Sequence, residues 1–145
     1  MYHCTFSVES LTSSDCRRPL VVARDDPINL HLAHLGAASC AFERSPLTIE
    51  AHDGRHLNIT LLDFTGTPTG SCQREIGHVT DVASERAYDV CAGVGRHRAL
   101  MTSTGSRVQL TLRSDAFQNV ALILQISGEL TRKERCKYLH GMLND

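Results

Sequence analysis

The chain has 145 residues, a formal net charge of −1, 41% hydrophobic residues and 21% charged residues. That length suits a single core, and the composition is that of a folded globular domain, which excludes a disordered tail or a membrane-embedded protein. The charge balance lacks the cationic excess that counterion release on nucleic acid uses, so no nucleic-acid partner is expected.

From the N-terminus, Met1-Tyr2-His3-Cys4-Thr5-Phe6-Ser7 lacks the positive patch and apolar stretch of a secretory signal. The signal of a secreted parent is therefore expected outside this chain. Ile28-Asn29-Leu30-His31-Leu32 alternates apolar with polar residues, which predicts a strand that turns His31 and His34 to opposite faces, unable to share one metal. Leu57, Ile59 and Leu61 alternate with Asn58 and Thr60, a second strand. Turn-rich stretches stand at Asp53-Gly54 before it and at Thr65 to Gly70 and Thr104-Gly105-Ser106 after it. Val108 to Leu112 alternates again, and Ala121 to Ile126 is a more apolar strand. No helix is expected before the last fifteen or so residues, where Thr131 to Leu139 has the mixed charge of a short helix. The longest apolar run, Val120 to Leu124, is far short of the roughly 20 residues a membrane-spanning helix needs. No membrane insertion of this chain is expected, which leaves anchoring by another part of a parent protein open.

Six cysteines, Cys4, Cys16, Cys40, Cys72, Cys91 and Cys136, are the most informative feature of the composition. An even, widely spaced set reads as up to three disulfides in an oxidising compartment. Zinc is the competing reading, but zinc ligands usually pair about two to four residues apart, and no two of these cysteines, Cys72 and Cys91 included, stand that close. Spacing alone does not choose the pairing. Asn58-Ile59-Thr60 is an acceptor triplet for an N-glycan, with Asn58 on the face opposite the aliphatic residues.

The order of landmarks from Cys16 to Gly128 resembles a CUB domain. It starts with Cys16 and Cys40, the latter followed by Phe42, then Ile49-x-Ala51-x-x-Gly54-x-x-Leu57-x-Ile59-x-Leu61-x-x-Phe64. Cys72 leads into Glu75-x-Gly77-x-Val79-x-Asp81, Cys91-Ala92-Gly93 is followed by Leu100-Met101-x-Ser103, and Val108-x-Leu110-x-Leu112-x-Ser114-Asp115 precedes the last strand. Phe42 stands where that family usually has tryptophan. The resemblance implies an all-β, jelly-roll-like sandwich of two antiparallel sheets over residues 16–128, between an N-terminal extension (1–15) and a short C-terminal appendage (129–145). It implies bridges Cys16–Cys40 and Cys72–Cys91, leaving Cys4 and Cys136 as a third candidate pair.

Many CUB domains bind calcium through loop acids at one end, and Glu75 and Asp115 match two such positions. Thr65 to Ser71 supplies no carboxylate, so solvated charges are the favoured reading of both, since calcium takes about six or more oxygen ligands. Arg96, His97 and Arg98 form a basic cluster, with Arg96 and Arg98 as candidate contacts for an acidic or sulfated partner. No Gly-x-Ser-x-Gly elbow or protease-like cysteine setting is present. The function expected is a non-catalytic extracellular interaction module of a secreted or cell-surface protein, receptor-like or co-receptor-like, binding a protein ligand. A spermadhesin-like module for heparin or another glycan and a small secreted hydrolase are the alternatives.

Overall fold

A computed structural model of the chain describes residues 6–7, 18–22, 26–38, 40–113 and 121–129. The described residues form strands β1 (Phe6–Ser7), β2 (Leu20–Val22), β3 (Ile28–His31), β4 (Leu47–Ala51), β5 (His56–Asp63), β6 (Arg74–Asp81), β7 (Ala87–Ala92), β8 (His97–Thr102), β9 (Arg107–Leu112) and β10 (Leu122–Glu129). One helix, α1 (Leu32–Ala37), follows β3, and a single 3-10 turn, His52–Gly54, joins β4 to β5.

The strands form two five-stranded sheets, ordered β1-β3-β10-β5-β8 and β2-β4-β9-β6-β7. The fold is an all-β sandwich, as the alternation predicts. Most neighbours run antiparallel, but β1 lies parallel to β3 and β2 parallel to β4. Chain order explains this. Apart from the β6–β7 pair, successive strands change sheets, so β3 returns beside β1 only after the chain has visited the opposite layer. A parallel pair needs such a long connection, whereas a tight hairpin yields an antiparallel one. Phe6–Ser7 of segment 1–15 and Glu129 of segment 129–145 both belong to strands. The expected helix within 131–139 lies outside the described residues.

Period-two burial makes the core. In one sheet Ile28 and Leu30, Leu57, Ile59 and Leu61, and Leu122, Leu124 and Ile126 are all buried. Leu47 and Ile49, Ile76 and Val79, Val90, and Val108, Leu110 and Leu112 answer them from the other. All belong to one apolar cluster. Burying one such side chain contributes about 1.5–3 kcal/mol, so the two inner faces dominate the stabilisation.

Helix α1 corrects the expectation of an uninterrupted strand through Leu32 and of no helix in this region. Alternation from Ile28 runs onto Leu32, but Leu32 and Leu35, three apart, are both buried, which is helical spacing. Six residues are too few for that period to stand out against the alternation before it.

Gly77 sits in β6 where β9 comes closest. A Cβ there would lie 2.2 Å from the Thr111 carbonyl oxygen and 2.9 Å from Leu112 Cα, both backbone atoms that cannot swing away. The β6–β7 register shifts between Glu75 and Gly77, so a bulge precedes this close approach. Gly77→Ala is expected to lower stability by about 1–3 kcal/mol in denaturant unfolding. Gly95→Ala, with open space around its Cβ, should stay within about 0.5 kcal/mol of the parent. Equal midpoints for the two variants would contradict the β6–β9 packing.

Candidate functional site

One end of the sandwich gathers the β5–β6 connection, the β7–β8 turn, the start of β10 and helix α1. A buried carboxylate organises it. Leu57, Ile59 and Leu61 point inward from β5, and the next inward position is Asp63, only 4% exposed. Its Oδ2 accepts from the Gly93 N–H at 2.7 Å, and its Oδ1 accepts from the Thr65 N–H at 2.9 Å and from the Thr65 hydroxyl. Gly93 has φ +98°, a left-handed conformation that favours glycine, and it begins the turn that carries the chain from β7 to β8 in the opposite sheet. Asp63 therefore clamps the two layers at this end. The Asp63 N–H also donates to the Arg96 carbonyl at 2.8 Å.

The far end repeats the device. Val79 points inward from β6, and two residues on Asp81 does the same, 1% exposed. Its Oδ2 accepts from the Thr104 N–H (2.9 Å), the Thr104 hydroxyl (2.7 Å) and the Ser84 hydroxyl (2.9 Å). Thr104 lies in the turn from β8 back to β9, so the edge strand β8 is held by a carboxylate at each of its crossings. Burial raises both acid pKa values, and the hydrogen bonds outweigh it. Asp63, helped also by the charge of Arg96, and Asp81 both stay below the ordinary aspartate value of 3.8.

The surface beside Asp63 is the candidate for contact. Phe64 follows the inward Asp63, so strand parity turns its ring outward, where it is 59% exposed. A cleft of roughly 210 Å³ lies next to it, lined by His31, Ala33, His34, Phe64, Leu122 and Ile123. His31 closes β3 and His34 lies in α1, and their rings sit 5.1 Å apart. The expectation that these histidines diverge is thus corrected, because the chain coils at Leu32 and brings them to one wall.

Cys72 and Cys91 form a disulfide across the base of the β6–β7 hairpin. Cys40 is also disulfide-bonded. Cys4, Cys16, Cys136 and Asp115 lie outside the described residues. Glu75 is exposed at the start of β6, and among the described residues no three His, Cys, Asp or Glu side chains gather for a metal. Asn58 stands on the outer face of β5, where its Oδ1 accepts from the Thr102 hydroxyl at 2.5 Å. Arg96 is exposed, whereas Arg98 is half-buried opposite the inward Leu61 of β5. The basic cluster is therefore divided: His97, opposite Leu62, is exposed on the outer face, and Arg98, opposite Leu61, is half-buried.

Sequence reasoning passed over Asp63 and placed Asp81 only as a landmark of the resemblance, because carboxylates are not read as core positions. Their signal is the period-two frame continued one step, together with a Thr or Ser two or three residues on that can donate back. Among the described residues no helix is long and apolar enough to cross a membrane.

Because both aspartates titrate lower in the folded chain, their stabilisation is fully present above pH about 4 and is lost as pH falls through the lowered folded values. Unfolding midpoints measured from pH 6 down to about pH 2 should therefore decline below about pH 4. Asp63→Asn and Asp81→Asn should each cost about 1–3 kcal/mol at neutral pH and shallow that decline. A parallel decline in the variants would contradict the assignment.

No family model matches this chain, and no curated protein or solved structure matches it.

Proposed function

We propose that the chain is a non-catalytic, extracellular protein-binding module of the CUB type, within a larger secreted or cell-surface protein of receptor or co-receptor character. Two structural features that the CUB resemblance implies support the reading: a two-sheet β-sandwich and the Cys72–Cys91 bridge. A disulfide fits an oxidising compartment. The observation that carries the binding role is Phe64, an exposed aromatic whose N–H donates to the Ala121 carbonyl at 2.9 Å and whose neighbour Thr65 donates its N–H to Asp63 Oδ1 at 2.9 Å. Aromatic anchors on preorganised surfaces lose little entropy on contact and dominate protein interfaces.

The hydrolase alternative draws no support from the one Ser–His neighbour pair among the hydrogen bonds described. His56 Nδ1 donates to the Ser103 backbone carbonyl (2.8 Å), not to its hydroxyl. That hydroxyl is buried, accepts from the Leu57 N–H (2.7 Å) and donates to the Gly105 carbonyl (2.6 Å). The glycan alternative rests on Arg96, since Arg98 is turned partly away from solvent.

A tetrameric display of the folded chain on cultured cells tests the reading. Saturable binding is expected, removed by mild trypsin treatment of the cells, retained after heparinase, and weakened at least about tenfold by Phe64→Asp. Binding that heparinase or Arg96→Glu abolishes would transfer the assignment to a glycan ligand. Labelling of the folded chain by serine- or cysteine-directed hydrolase probes would overturn the non-catalytic reading.

A further inference from the structure

We infer that His31 and His34 form a surface half-site for a divalent transition-metal ion of the imidazole-preferring class, zinc or copper(II). This does not depend on the binding-module reading. The strand-to-helix switch at Leu32 places both rings on the wall of one solvent-open cleft. Two imidazoles on one tetrahedral ion, with metal–nitrogen bonds of about 2.0–2.1 Å, hold their ring centres roughly 5 Å apart. The observed separation is 5.1 Å, with the ring planes tilted by 32°.

A plain ring contact has a similar spacing, so the nitrogens decide. His31 sits at the N-cap of α1 but makes no side-chain cap hydrogen bond. No hydrogen bond to either ring occurs among the described residues, in contrast to His56, whose Nδ1 is committed to Ser103. Both rings therefore keep lone pairs for a ligand. Imidazole suits zinc and copper but not calcium, which takes oxygen, so this site is distinct from the Glu75 and Asp115 expectation. The positive end of α1 opposes a cation, but α1 is only six residues long, and two metal–nitrogen bonds outweigh it. The cleft that both histidines line also holds Phe64 and Ile123, and water or a donor on a second molecule entering it would complete the shell.

Zinc sulfate titrated into the folded chain at neutral pH, followed by calorimetry, should show a site tighter than about 1 mM. His31→Ala and His34→Ala should each weaken it by at least about tenfold, and His97→Ala should leave it unchanged. Copper(II) added substoichiometrically to the parent with its amino group acetylated, so that Met1-Tyr2-His3 offers no amine–imidazole chelate, should broaden the His31 and His34 ring resonances before those of other histidines, a readout that needs no variant to fold. Absence of binding below 1 mM, survival of the site in both variants, or first broadening at other histidines would overturn the inference.

Discussion

Every long strand described has one face that water must not reach, and the structure follows from laying two such faces together. Leu57, Ile59 and Leu61 of β5 and Leu122, Leu124 and Ile126 of β10 cannot be satisfied within their own sheet. They meet Leu110, Leu112, Ile76 and Val79 of the opposite layer in a single apolar cluster. That requirement fixes the register, because a one-residue slip of β10 against β5 would turn its apolar set to solvent. It also requires close backbone approach where β6 and β9 leave no room for a side chain at Gly77.

A closed apolar interior has two open ends, and this chain seals them with carboxylates rather than with more hydrophobic residues. Asp63 and Asp81 occupy the last inward positions of β5 and β6 and collect the turns that cross between layers. The cost of burying each charge is offset by three hydrogen bonds apiece. A rigid end results, on which Phe64 and the histidine wall are presented to solvent. The proposed binding role grows out of that rigidity, since side chains held on a fixed frame lose little freedom when a partner covers them.

Much of the fold could be read from the residues because β-alternation is visible wherever a strand has one wet face. β5 and β9 declare themselves in this way, and the resemblance placed Cys72 and Cys91 in one bridge. What stayed hidden was the behaviour of residues that break a local rule. Asp63 continues an apolar frame with a charge, and Leu32 continues an alternating frame into a helix turn. In both cases the deciding partner is remote in sequence: Gly93 for Asp63, and the core that receives Leu35 for α1. The exposure of Phe64 was hidden for the same reason, since its outward parity follows only once Asp63 is known to point in. The basic cluster reads as one unit because its residues adjoin, yet neighbours along a strand face opposite ways, and Arg98 accordingly parts from His97.

Among the described residues the β6–β7 hairpin forms the edge of its sheet, with no further strand beside β7. There the Cys72–Cys91 bridge, closing a loop of sequence separation 19, removes unfolded-state entropy worth about 3 kcal/mol. An apolar two-layer interior thus has one edge covalently stapled. Non-reducing peptide mapping of the natively produced protein tests this most directly. A peptide pair joining Cys72 to Cys91, released by reduction, is expected. Free thiols at both positions, or either cysteine joined elsewhere, would contradict it.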